Sequence, residues 1–214
     1  MYQVGHSEAI SSHKITAMDI HQLSVNYIQE QDRILMRINT TADEELRLWF
    51  TRRLSLGLLP MLGKIVADQT AKLEAAKPER ISPNALADEQ TKQMLAEFKR
   101  QELLQKADFQ TPYKEKAITL PLGTEPLLVT EVNVTPLPTG QLQLRFNEKI
   151  PGVETPRGFQ VSLEQNLVHG FMHLLHKAVD TSQWRQAMGI AVPEVEARLP
   201  GEDLTVLAKP KYLN

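Results

Sequence analysis

Residues 46–66 (LRLWFTRRLSLGLLPMLGKIV) align without a gap on residues 159–179 (FQVSLEQNLVHGFMHLLHKAV), at a constant offset of 113 residues and with five identities over 21 positions. The identities pair Leu54 with Leu167, Gly57 with Gly170, Leu62 with Leu175, Lys64 with Lys177 and Val66 with Val179. Ordinary residue frequencies would give roughly one or two. Other positions exchange one apolar residue for another, as Leu48 does with Val161. An internal repeat of this length constrains the fold more than any composition value, because each copy must form the same supersecondary unit.

The residues before each copy define that unit. Ile20 to Gln29 alternates apolar and polar side chains, with Leu23, Val25 and Tyr27 on one face, the two-residue period of a half-buried strand. The polar turn Glu30-Gln31-Asp32 separates it from Arg33 to Thr40, where Ile34, Met36 and Ile38 share a face, and a second turn leads to Leu46, Leu48 and Phe50. Three antiparallel strands follow from this hairpin pattern. At Thr51, a candidate N-cap, the period becomes helical, and Leu54, Leu58, Leu62, Ile65 and Val66 form one stripe. Pro60 is expected to kink or divide that helix.

Strands return at Pro126 to Thr135 (Val132 and Val134 inward), Gln141 to Glu148 (Leu142, Leu144 and Phe146 inward) and Gly158 to Leu163, followed by a helix from about Glu164 to Trp184. Between the copies, Asn84 to Lys106 reads as a connecting helix with Leu86, Met94, Leu95, Phe98 and Leu103 as its apolar edge. The expectation is an α+β fold of two repeated antiparallel strand-strand-strand-helix units, each with room for a fourth strand, packed as a pseudo-dimer. The boundaries are 1–66 for the first unit (its helix extending as far as 77), 67–115 for a helical connection, 116–184 for the second unit and 185–214 for an irregular C-terminal arm.

Composition then removes function classes. The 214 residues contain no cysteine, which excludes disulfides and thiolate metal sites and points to a cytoplasmic setting. No signal peptide or membrane span is expected, since no stretch approaches the length of a spanning apolar segment. With 24 basic and 26 acidic residues the net charge is -2, so the whole surface is not built to hold a polyanion, although one face can be. There is no phosphate-loop, dinucleotide-fold or nucleophile-elbow motif. A non-enzymatic binding module with no cofactor is therefore expected.

Two constellations are candidates for chemistry. On the outward face of the first unit the alternation places Arg33, Leu35, Arg37, Asn39, Arg47 and Trp49, with Arg52 and Arg53 at the helix start. Guanidinium groups hold phosphates bidentately and an exposed indole stacks on an unpaired base; alternatively the arginines pair with Asp43, Glu44 and Glu45. The second unit offers Arg145 among neutral polar residues. His169, His173 and His176 are spaced by four and three, so they share one helix side opposite Leu167, Phe171, Leu174 and Leu175 and are candidate metal ligands. A helix side facing an interface or solvent is the alternative.

The segments LRLWFTRRL at Leu46 to Leu54 and FQVSLEQNL at Phe159 to Leu167 each join a last strand to its helix. In this order of elements the chain is similar to the PUR-repeat and Whirly families of single-stranded nucleic-acid-binding proteins. The resemblance implies that two units intertwine through their helices and that sheet faces grip extended strands, with Arg37, Arg47, Trp49 and Arg145 as contacts. Those families use four strands per unit, and Ile15 to Asp19 and Lys116 to Leu120 are the candidates for the fourth. The partner implied is single-stranded DNA or RNA; the alternative is a protein partner or a homodimer, joined through the apolar helix arcs and polar sheet faces.

Overall fold

The computed structural model describes residues 20–76, 88–114, 119–153 and 157–186, together with the backbone of 13–15. Its strands are β1 (His13–Ile15), β2 (Ile20–Ile28), β3 (Arg33–Thr40), β4 (Glu45–Phe50), β5 (Leu127–Leu128), β6 (Glu131–Pro136), β7 (Leu142–Glu148) and β8 (Arg157–Leu163). Among the described residues, three α-helices, α1 (Arg52–Ala75), α2 (Glu89–Lys106) and α3 (Gln165–Ser182), join them in an α+β fold. The strands form two four-stranded sheets, ordered β2-β3-β4-β5 and β1-β8-β7-β6.

Pairing registers in the two sheets correspond. Ile34 lies opposite Phe50, Met36 opposite Leu48 and Ile38 opposite Leu46; in the second sheet Leu142 faces Leu163, Leu144 faces Val161 and Phe146 faces Phe159. All twelve side chains are buried, as the two-residue period requires of an inner face. They belong to one hydrophobic core shared by both sheets, and at its centre Phe50 stacks on Phe146 with ring centroids 5.8 Å apart while Phe171 meets Phe50 edge-on.

Chain segments cross between the sheets. The expected strand Pro126 to Thr135 is two strands, because the backbone leaves β4 at Val129, whose N–H donates to Trp49 O, and joins β7 at Thr130, whose N–H donates to Asn147 O. Thus β5 lies parallel to β4 in the first sheet, and β6 lies antiparallel to β7 in the second. In the same way β1 pairs parallel with β8 while β2 pairs with β3. The fourth strand of one sheet is His13–Ile15, which shares Ile15 with an expected segment, and that of the other is Leu127–Leu128. Residues 16–19 and 116–118 of the expected segments lie outside the described residues, and Thr119 makes an isolated parallel bridge to Glu44.

The helices cross as well. α1 follows the first sheet but packs against β6, and α3 follows the second sheet but packs against β2. Each is anchored at its far end. Near the end of α1, the buried Gln69 donates from Nε2 to Gln141 O at 3.0 Å, and Leu73 lies 3.3 Å from where a Cβ on Gly140 would sit, at a φ of +87°. Just beyond α3, Trp184 donates from Nε1 to Asp32 Oδ1 at 2.7 Å in the β2–β3 turn and meets Tyr27 edge-on at 5.5 Å. Pro60 does not divide α1, which runs unbroken through it. The residue is exposed, so the carbonyl deprived of its amide partner lies near the helix surface.

The connecting helix departs from expectation in its apolar edge. No residue of α2 is buried, and Met94 and Phe98 are 60% and 65% exposed. Leu95 and Leu103 are half-buried, while Leu86 lies outside the described residues. Most of the C-terminal arm also lies outside them.

Candidate nucleic-acid interface and a cleft between the helices

The outer face of the first sheet is set by the alternate positions of the same strands. Arg37 lies directly across from Arg47, and Leu35 directly across from Trp49; Arg33 stands at the start of β3 opposite Ile28. A pair of guanidinium-bearing residues thus adjoins an aliphatic–aromatic pair, and Leu128 of β5 flanks Trp49. Like charges directly opposite one another across strands repel. Neighbouring groups offset that repulsion here: Arg47 is ion-paired to Glu45, and the Arg37 guanidinium lies 4.4 Å from the centroid of the Tyr113 ring, a cation–π contact.

Tyr113 and its neighbours form a strap across one end of this face. Gln22 donates to Pro112 O and accepts from the Lys114 N–H, while Asn39 donates to Lys114 O at 2.7 Å. The Tyr113 hydroxyl lies 2.5 Å from Asn39 Oδ1 and 3.0 Å from Glu45 Oε2, so its proton is shared between them. Burial first, then the charge and hydrogen bond of Glu45, raise the phenol's pKa far above the usual range, and it stays a donor. In consequence Asn39 and Glu45 are buried, at 6% and 3% exposure, and the face is less open than its alternation suggests. Arg33, Leu35, Arg37, Arg47 and Trp49 are half-buried.

The other arginines separate. Arg52 does not join the sheet face, because its Nη2 donates to Trp184 O at 2.6 Å and so ties the start of α1 to the end of α3. Arg53 is exposed in the first turn of α1. Arg145 is exposed on β7 opposite Gln160, at the place that Arg37 takes on β3. Of the carboxylates considered as partners for the sheet-face arginines, Glu45 holds Arg47.

The three histidines do not converge. His169 is buried at 2% exposure, within a cleft bounded by α1, α2 and α3. His173 packs 5.1 Å from the Phe109 ring, and His176 is exposed beside Arg185, whose Nη2 lies 3.3 Å from its Nδ1. At His169 the alternative reading, a helix side that faces an interface, is the one the structure shows, because α1 and α2 pack over that side of α3. Burial, reinforced by the Arg100 charge, lowers the His169 pKa and holds the ring neutral. Among the described residues, no three His, Cys, Asp or Glu side chains are grouped to hold a metal ion.

The strap residue Tyr113 and the cleft around His169 escaped the pattern reading. Tyr113 carried one faint signal, as an aromatic residue in a polar connection within a chain only 6% aromatic. Nothing in the strand alternation marked Glu45 as buried, since its cover comes from residues about seventy positions later. No helix among the described residues is long and apolar enough to cross a membrane. Comparison with protein-family models, curated proteins and solved structures finds no match to this chain.

Proposed function

We propose that the chain is a non-enzymatic cytoplasmic module that binds single-stranded DNA or RNA on the outer face of its first sheet, as the resemblance to the PUR-repeat and Whirly families implies. The observation that carries this reading is the adjacency of Arg37 and Arg47 to Trp49 and Leu35 on one face, with Arg33 beyond them. Guanidinium groups neutralise successive phosphates while the indole stacks on a base, a sequence-tolerant mode with no covalent step. Arg145, at the place on β7 that Arg37 takes on β3, is the second sheet's contribution to the proposed contacts. The corresponding registers and crossed helices support a second element of the proposal, that the two units are a duplication packed as an internal pseudo-dimer.

Fluorescence anisotropy with labelled single-stranded and double-stranded oligonucleotides across a salt series tests this reading. Single strands are expected to bind preferentially, with log K falling linearly against log salt. Trp49→Ala is expected to weaken binding by about 1–3 kcal/mol, and Arg33→Gln to reduce the salt slope by about one phosphate contact. These two positions carry the test, because removing Arg47 would strand the buried Glu45 carboxylate and perturb folding as well. No binding at low salt would sink the proposal.

A second reading, a protein-interaction or assembly module, is favoured by Met94 and Phe98, one turn apart on α2 and 60% and 65% exposed. An apolar contact there would be nearly insensitive to salt. Met94→Ser with Phe98→Ser would then abolish association of copies or partners while leaving any oligonucleotide binding intact.

A further inference from the structure

Apolar side chains that the core leaves half-covered gather at one place. Ile20, Leu23, Leu167 and Leu174 pack only partly into the core, and all four line a cleft of about 660 Å³ between the start of β2, the end of α2, residues 107–113 and α3. Its volume is within the range of small-molecule sites. Leu103 and Phe109 complete the apolar wall; Phe109 is 43% exposed, its ring set against His173 at 5.1 Å. Apolar surface gathered in this way marks a place of interaction.

Gly170 gives the cleft its depth. It stands mid-helix in α3, on the stripe Leu167, Gly170, Phe171 and Leu174 that lines the cleft, although glycine is the poorest helix former after proline. The usual reasons for such a glycine are absent. A Cβ there would meet nothing within 4 Å, so no neighbouring element approaches closely, and the residue is not among those with positive φ. What the glycine does is leave empty the space that a side chain would take.

The polar groups of the lining have partners within the protein. Lys106 donates to Glu102 at 2.9 Å. Asp108 accepts from the Gln110 and Thr111 amides and the Thr111 hydroxyl. Gln22 is bound through both ends of its amide to the backbone of Pro112 and Lys114, and the Tyr113 hydroxyl is held by Asn39 and Glu45. Both charges are thus compensated by neighbours, and a charged molecule entering the cleft would give up its hydration without gaining an unpaired opposite charge.

We propose that this cleft is a binding site for a small uncharged molecule, a largely apolar one of two or three rings, seated over Gly170 against Leu167, Leu174 and Phe109. Four segments of the chain bound the cleft, which suits a compact molecule rather than an extended strand or a helix. Removal of apolar surface from water drives the binding, so the site does not depend on what the outer sheet face binds.

The test uses the full chain and two dyes of one skeleton, the uncharged N-phenyl-1-naphthylamine and its sulfonated counterpart 8-anilinonaphthalene-1-sulfonate, whose fluorescence rises in apolar surroundings. The uncharged dye is expected to bind one molecule per chain with Kd of roughly micromolar order, and the sulfonate at least about tenfold more weakly. Gly170→Leu fills the space over the helix; it is expected to abolish saturable binding while holding or raising the melting temperature. Phe109→Ser, at an exposed position, is expected to weaken binding by about fivefold or more. Met94→Ser with Phe98→Ser removes the exposed apolar pair of α2 and is expected to leave the affinity unchanged; loss of binding there would place the dye on α2 and overturn the proposal. Equal affinity for the sulfonate, no saturable binding, or unchanged affinity in folded Gly170→Leu or Phe109→Ser would overturn it too. A cleft covered instead by a second copy of the chain would show dye affinity that falls as protein concentration rises, and that result would also count against it.

Discussion

His169 couples its burial to pH in a direction that can be worked out. Its folded pKa is lowered by burial and by Arg100 on α2, with Glu97 opposing; Lys64 and Glu89, of opposite charge, line the cleft around the ring. The unfolded chain therefore takes up a proton near the ordinary histidine value of about 6.5 while the folded chain resists it. Stability contributed by the neutral ring is complete above that pH and is lost as pH falls toward the lowered folded value. The repeat supplies the natural replacement, since Leu56 occupies the matching position in α1. In urea unfolding at pH 7.5 and pH 5, His169→Leu should lose less stability on acidification than the parent; parallel losses would show that the buried ring does not titrate with folding. His176, lowered in the same sense, is present in both proteins and cancels in the comparison. The sequence showed where His169 lies on its helix but not its burial, because spacing within one helix says nothing of the two that pack over it. Glu45 is the sheet counterpart: strand alternation placed it on the outer face, and only the distant Tyr113 strap buries it.

Elements with local causes were the legible ones. The register of β2, β3 and β4 follows from alternation, and α1 begins where the period changes, at a Thr51 side chain that accepts from the Leu54 N–H at 3.3 Å. The matching residue before α3 is Glu164, which makes no side-chain cap. Thr51→Ala should thus cost about 0.5–2 kcal/mol, whereas Glu164→Ser should change stability little, because the matching Leu167 N–H of α3 already donates to Asn166 Oδ1 at 2.8 Å. Midpoints of chemical denaturation check both, and a clearly stabilising Glu164→Ser would mean that the Asn166 bond leaves the first turn of α3 short of an acceptor. What remained illegible was non-local. Pro126 to Thr135 is one apolar-rich run in sequence, and its division at Val129 depends on two carbonyl acceptors, Trp49 O and Asn147 O, from different sheets.

At the scale of the molecule, the repeat suggested two units and the structure contains one core. β1 and β5 each join the sheet opposite to the strand that follows them, and α1 and α3 each cover the sheet that the other follows. Neither repeat therefore contains the helix that covers its own sheet. Dividing the chain between α1 and α2 should give pieces 1–87 and 88–214 that each lack native tertiary signals alone, since burying the inner face of either sheet requires residues from the other piece. Mixed at equal concentration, they should recover the near-ultraviolet circular dichroism of the intact chain, and the recovery should depend on concentration as a bimolecular association does. A piece that replaces its missing counterpart with a second copy of itself would instead acquire structure alone as a dimer, which is the expected behaviour of a duplicated unit whose two halves retain complementary surfaces. A piece that is folded and monomeric by sedimentation would contradict the exchange of strands and helices, because its sheet would then be covered by its own helix.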